Sequence, residues 1–219
     1  KEVAFLEDRT TLRVINLKSK QVRTVLDGKY NYSYADGDQT YQWSPDSKWF
    51  LVQYIAIGGW NNKDIALVKA DGSGDITNLT ESGYSDGDPK WVLDGKAMIW
   101  SSDRAGYRSH GSWGAQDDTY IMFFDAEAYD KFRLSKEELA LVEDEEKDKE
   151  KDKKDDKKED KKDSKAKKDD KKKDDKDKKD DADKPVEPLK FDLENRKDRV
   201  IRLTINSSNM GDAVLTPKG

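Results

Sequence analysis

The chain has 219 residues, of which 42 are basic and 47 acidic, with one His and no Cys. Disulfides and thiolate metal sites are thereby excluded, as is any site needing two imidazoles from this chain. No stretch approaches the roughly 20 apolar residues of a membrane helix, and a net charge of −5 with a pI near 5.2 gives no electrostatic case for nucleic acid.

The charge is concentrated. Residues 143–184 carry 19 Lys and 20 Asp or Glu in 42 positions, with only Ser164, Ala166 and Ala182 besides. The other 177 residues, with 23 basic and 27 acidic side chains, have the ordinary composition of a folding domain.

Taken in chain order, short β-rich runs alternate with turn residues. Leu12–Leu17 and Val22–Leu26 come first, followed by the turn Trp43-Ser44-Pro45-Asp46-Ser47-Lys48 and the apolar run Trp49–Ile55. Asp64–Val68 and Ile76–Thr80 lead to Trp91-Val92-Leu93-Asp94-Gly95-Lys96 and the run Ala97–Trp100. Thr119–Phe124 and Val200–Thr204 follow, and Asp212–Gly219 begins the pattern again. Trp43 and Trp91 are 48 positions apart. Leu12–Leu17, Asp64–Val68 and Thr119–Phe124 read as equivalent inner strands. Val22–Leu26, Ile76–Thr80 and Val200–Thr204 alternate apolar and polar residues, as outer strands with one wet face do.

Four strands per unit at a spacing in the forties is the pattern of a β-propeller blade. The expected fold is all-β: a partial propeller of about three to three and a half four-stranded antiparallel blades, with a disordered charged insertion. The first blade begins near its second strand, so the chain is expected to be a piece of a longer protein. A small twisted β-sandwich is the alternative. Residues 1–142 are assigned to blades, 143–184 to the insertion, and 185–219 to the return into the third blade and the start of the next. Within 125–142, Phe132, Leu139 and Val142 recur near helical spacing. Ser135-Lys136-Glu137-Glu138 fits an N-cap with Glu at the third helical position, which predicts a short helix leading out of the blade. The Lys/Asp tract buries too little apolar surface to offset chain entropy. With mixed signs and a net charge of −1 it is no electrostatic magnet either.

Chemistry is sparse. There is no nucleophile elbow, phosphate loop or dinucleotide fingerprint, so no catalytic residue, metal ligand or cofactor is assigned. The segment Asp103–Asp118, between the second and third strands of its blade, is polar, Gly-rich and aromatic, as binding loops are. It reads either as a structural loop over the blade edge or as a substrate-facing loop with Arg104, Arg108, His110 and Trp113 as its reading residues. Ser109 or Ser112 beside His110 suggests a catalytic pair, but sequence neighbours rarely meet in triad geometry. Ile57–Lys63, with Trp60, occupies the corresponding place in the preceding blade. Asp36-Gly37-Asp38 and Asp86-Gly87-Asp88 read as turns entering a strand rather than as calcium loops, which need more oxygen ligands at fixed spacing.

Trp43-Ser44-Pro45-Asp46-Ser47-Lys48 resembles the W-S-P-D-G-K strand start of Tol-system and tricorn-type propellers. Trp91–Lys96 departs from it by Val-Leu in place of Ser-Pro. Ser101-Ser102-Asp103-Arg104-Ala105-Gly106-Tyr107-Arg108-Ser109-His110-Gly111-Ser112-Trp113-Gly114 is similar to the N-terminal propeller of bacterial tricorn-like serine peptidases, particularly of the Bacteroides group. So are Phe123-Phe124, Tyr129–Glu138 and the Lys-rich insertion. The resemblance implies an N-terminal propeller joined to further propeller, PDZ and serine-peptidase domains, handling peptide or unfolded-protein substrates for a catalytic core outside these residues. It leaves a homo-oligomer possible and favours the periplasm over the cytoplasm. Two rivals stand beside it: a non-catalytic Tol-type scaffold that binds proteins, and a propeller capping an α/β-hydrolase peptidase.

Overall fold

The computed structural model describes residues 1–31, 38–57, 59, 62–106, 116–142, 144–145, 147, 187–206 and 212–215. Among them are three antiparallel sheets in which strand order follows chain order. The first holds β1 (Glu2–Glu7), β2 (Thr11–Asn16) and β3 (Val22–Leu26). The second holds β4 (Tyr41–Trp43), β5 (Trp49–Ile55), β6 (Lys63–Lys69) and β7 (Thr77–Asn78). The third holds β8 (Asp86–Val92), β9 (Ala97–Ser102), β10 (Asp118–Phe123) and β11 (Val200–Arg202). The fold is all-β, and its units are the radial four-stranded meanders of a propeller. The first sheet has the second, third and fourth strands of the pattern.

Side-chain alternation explains why the sheets stack. In β5, Phe50, Val52 and Tyr54 face the first sheet and pack with Leu12, Val14 and Leu26. Leu51 faces the other way and joins Met98, Trp100, Tyr120 and Met122 of the third sheet. β6 divides in the same way, Ala66 and Val68 toward one core, Ile65 and Leu67 toward the other. A strand covered on both faces has no wet side, so β6 is apolar from Ile65 to Val68.

The second and third sheets repeat in hydrogen bonds as well as in sequence. Leu79 N–H donates to the Ile65 carbonyl at 2.8 Å, and Leu203 N–H to that of Thr119 at 2.8 Å. Ala70 N–H donates to Lys48 and Phe124 N–H to Lys96, each at 2.8 Å. The outer strand β11 therefore completes the third sheet although 76 residues separate it from the end of β10.

The chain divides into two units, Lys1–Ala128 with Val186–Gly219, and Tyr129–Pro185. The predicted single helix is two helices. α1 (Ala126–Phe132) starts where the Asp125 carboxylate accepts from Ala128 N–H at 2.7 Å. A turn then leads to α2 (136–142). The capping box read from the sequence is present in both directions: Ser135 N–H donates to the Glu138 carboxylate at 2.8 Å, and Glu138 N–H to Ser135 Oγ at 3.3 Å. Apart from helical 144–145 and 147, the charged tract lies outside the described residues.

A second expectation needs correcting. Asp86-Gly87-Asp88 is not a turn before a strand but the first part of β8. The ladder to β9 slips between Gly87 and Lys90, and Asp88 takes a positive φ of 49° there. Asp, Gly and Pro side by side mark a bulge as readily as a turn.

Candidate functional site

In each meander the second-to-third-strand loop and the connection to the next sheet emerge at one end, and the two remaining turns at the other. The first will be called the loop end and the second the turn end.

The turn end is tightly packed. Ser44 Oγ donates to the Asp46 carboxylate at 2.6 Å and accepts from Trp49 N–H at 2.9 Å, which fixes the turn of the Trp43–Lys48 motif. Leu189 and Phe191, on the segment returning from the insertion, lie against these turns. Leu189 N–H donates to Asp46 at 2.9 Å. Phe191 stands edge-on to Trp49 at 5.2 Å and to Phe124 at 5.4 Å, and lies 6.0 Å from Trp91. Arg199, 7% exposed, donates to the Phe123 carbonyl at 3.2 Å and pairs with Asp192.

The loop end is built from buried carboxylates, each at or beside the start of a strand. Asp86, fully buried, accepts from the indole N–H of Trp100 at 3.1 Å, from Ser82 Oγ at 2.6 Å and from the Arg104 guanidinium at 3.2 Å. Asp118 accepts from Arg202 at 2.8 Å and Thr204 Oγ1 at 2.7 Å. Asp64 accepts from Asn78 Nδ2 at 2.8 Å, Thr80 Oγ1 at 3.1 Å and Ser82 N–H at 3.1 Å. Asp64–Thr80 and Asp118–Thr204 are the same clasp in successive sheets, and in each the threonine oxygen also accepts the next backbone N–H, Ile65 or Thr119.

These charges are felt by their neighbours. Burial, reinforced by Asp103, Asp88, Asp118 and Asp86, raises the Asp117 carboxyl above the usual carboxylate range. Burial, with Asp64, Glu81 and Tyr30 nearby, pushes the Tyr54 phenol up to about 12.

Two cavities open at this end. The larger, about 620 Å³, is walled by Tyr30, Tyr54, Ile57 and Ile76, with Asp64 and Glu81 also in its lining. Ile57 is fully exposed. The smaller, about 210 Å³, is bordered by Trp100, Arg104, Tyr84 and Lys197, and again by Glu81.

Of the four loop residues singled out from the sequence, the structure places Arg104. Its guanidinium pairs with Asp86 and lies 5.5 Å from the Trp100 ring centre and 4.9 Å from that of Tyr120, while Nε donates to Ser102 Oγ at 3.0 Å. That arrangement binds the loop stem to the sheet. Arg108, His110 and Trp113 lie outside the described residues, as do Trp60, Asp36 and Gly37. Asp38 pairs with Arg9. Among the described residues no cluster of His, Cys, Asp and Glu is arranged to hold a metal, and no helix is long and apolar enough to cross a membrane. Sequence reading missed Tyr54, Asp64 and Glu81. The signal available for Asp64 was the pairing of Asp at the inner strand with Leu-Thr at the outer one, which recurs as Asp118 with Leu203-Thr204.

No family model matches the chain and no curated protein matches it. Solved structures do. The putative TolB from Agrobacterium tumefaciens is 17% identical, with a TM-score of 0.39, over 56% of this chain and 42% of that one. The tricorn protease is 10% identical, with a TM-score of 0.49, over 90% of this chain and 15% of that one. The chain thus spans less than half the length of either. These are likenesses of fold, and the blade assignment stands on the strand order and repeated hydrogen bonds described above.

Proposed function

We propose that this chain is a substrate-handling propeller: its loop end receives extended polypeptide and guides it toward a peptidase core carried elsewhere in a longer protein. The observation that carries the reading is the 620 Å³ groove, which joins aromatic and aliphatic walls to hydrogen-bonding side chains on one side of the molecule. An extended backbone needs such polar partners, and its side chains need the apolar wall. A second cavity borders the same Glu81, so the surface offers two adjoining pockets, as a segment of several residues requires. The turn end, filled by Phe191 and its neighbours, is suited to holding the fold together. The reading gives these residues no bond-cleaving step. They bind and orient.

The test is binding of a fluorescent polypeptide to the 219-residue chain, in an unfolded form and in its folded parent form, followed by anisotropy. The unfolded form is expected to bind, and Ile57→Asp to weaken it about tenfold or more by placing a charge on the apolar wall. Equal binding of the folded form, unaffected by Ile57→Asp, would replace this reading with that of a Tol-type docking scaffold.

A further inference from the structure

We propose that the groove at the loop end of the second sheet is a subsite for one cationic side chain, Lys or Arg, of the bound polypeptide; the proposal rests on the peptide-handling reading above. Its walls suit such a side chain. Tyr30, Tyr54, Ile57 and Ile76 offer apolar surface for a methylene stem, and the same groove has two carboxylates, Asp64 and Glu81, in its lining. Stems of this kind bury along apolar surface while the charged head seeks a polar one.

The charge argument starts with Asp64. It is 8% exposed, and its three hydrogen bonds come from neutral donors: Asn78, Thr80 and Ser82. Those bonds satisfy the oxygens but leave the negative charge, and a charge in a half-dry groove acts over a longer distance than one in water. The high phenol pKa of Tyr54 is partly a consequence of that field. Glu81 stands on the rim with a side chain 48% exposed, paired to Lys197 and more distantly to Arg196. The Lys197 pair is exposed on both sides, and such pairs are worth little and exchange readily, whereas Arg196 is 14% exposed and held by the Leu79, Leu193 and Asn78 carbonyls. The described lining of the groove contains no Lys or Arg.

The aromatic wall points the same way. The Tyr30 and Tyr54 rings lie 6.1 Å apart, and the Lys29 ammonium already sits 5.0 Å from the Tyr30 ring centre. Aromatic faces attract cations, and with Lys29 already at Tyr30 the Tyr54 ring is the one a ligand cation would meet. The same groove disfavours an acidic side chain, so it discriminates by repulsion as well as by attraction.

The experiment uses the 219-residue chain and three blocked peptides of equal length, identical but for Arg, citrulline or Glu at the centre. Citrulline keeps the shape of Arg and removes the charge. The Arg peptide is expected to bind at least tenfold more tightly than the citrulline peptide, with Glu weakest. Glu81→Gln should cut the Arg-over-citrulline ratio several-fold, whereas Glu7→Gln, which removes an equal charge on the first sheet, should leave it unchanged. If Arg and citrulline peptides bind alike, the cationic subsite is wrong and the peptide-handling reading survives. Equal losses from Glu81→Gln and Glu7→Gln would reduce the preference to the net negative charge of the chain, and the subsite falls again. If no peptide binds, both readings fall together.

Discussion

The two ends of the stacked sheets solve the same problem with different materials. At the turn end, the connections are closed by aromatic packing, with Phe191 set among Trp49, Trp91 and Phe124. At the loop end, buried carboxylates hold the strand starts: Asp64, Asp86 and Asp118. Apolar packing is indifferent to charge and forgiving of small shifts, so it suits a surface whose task is to stay shut. Buried carboxylates are directional and leave a field around them, so they hold loops in place while making the nearby grooves electrostatically selective. The difference suggests a division of labour in which stability is concentrated at one end and recognition at the other.

Breaking the charged end should have the largest effect. Asp86 is the recorded acceptor for the indole N–H of Trp100, a residue 1% exposed, and it holds the Arg104 guanidinium. Asp86→Ala would leave a buried donor and a partly buried cation without their acceptor, a loss of about 3–5 kcal/mol. Asp86→Asn keeps an acceptor for Trp100 and should lose distinctly less. Urea denaturation of both variants reads the gap, and equal losses would mean that the charge itself, rather than the acceptor, fastens this corner.

At the other end, Phe191→Ala tests whether aromatic packing is as necessary as it looks. Full burial of a Phe is worth about 3–5 kcal/mol on truncation. Phe191 is half-buried, so about 2–3 kcal/mol is expected, visible as a lower urea midpoint. Because the loss is confined to the turn end, peptide binding by the remaining folded protein should keep its affinity. A parallel loss of affinity would dissolve the proposed division between the ends. Gly95 belongs to the same packing: it has a positive φ of 88°, and a Cβ there would come within 2.7 Å of the Leu189 methyl groups.

Much of the turn end was legible in the sequence, and little of the loop end. The Trp43–Lys48 turn, the inner and outer strands and the return to Val200 follow from alternation and turn chemistry, both of which act over a few residues. The capping box at Ser135 is local in the same sense. The buried carboxylates are not. Asp86 finds Trp100 and Arg104 fourteen and eighteen residues on, across a ladder whose register is displaced by a bulge. Nothing in Asp-Gly-Asp-Pro separates that bulge from a surface turn. The sequence offers Arg104 as a substrate-facing residue; its described partners are Asp86, Ser102, Trp100 and Tyr120. The groove was out of reach because Tyr30, Tyr54 and Glu81 meet only once two sheets have stacked.

The smallest expected effect gives the sharpest contrast, because Asp46 at the turn end and Asp117 at the loop end shift in opposite directions. Burial alone would raise Asp46 at the turn end, but hydrogen bonds from Ser44, Leu189 and Lys48 bring its carboxyl below the ordinary range. Its contribution to stability is therefore present above the unfolded value and is lost as pH falls through the folded one. Asp117 at the loop end is raised, by burial first and then by the surrounding aspartates. Its contribution is full below the ordinary carboxylate range and is lost as pH rises through the raised value, so at neutral pH its charge weighs against folding. Asp117→Asn should raise Tm at pH 7 by about 1–3 °C, small because a half-exposed carboxylate is screened by solvent. That gain should shrink to nothing as the pH is lowered and the native carboxyl takes up its proton. Thermal melts of the two proteins across pH 4 to 8 decide the point. A gain of constant size over that range would show that the substitution improves packing rather than relieving repulsion, and the loop end would then be less strongly charged than its carboxylates suggest.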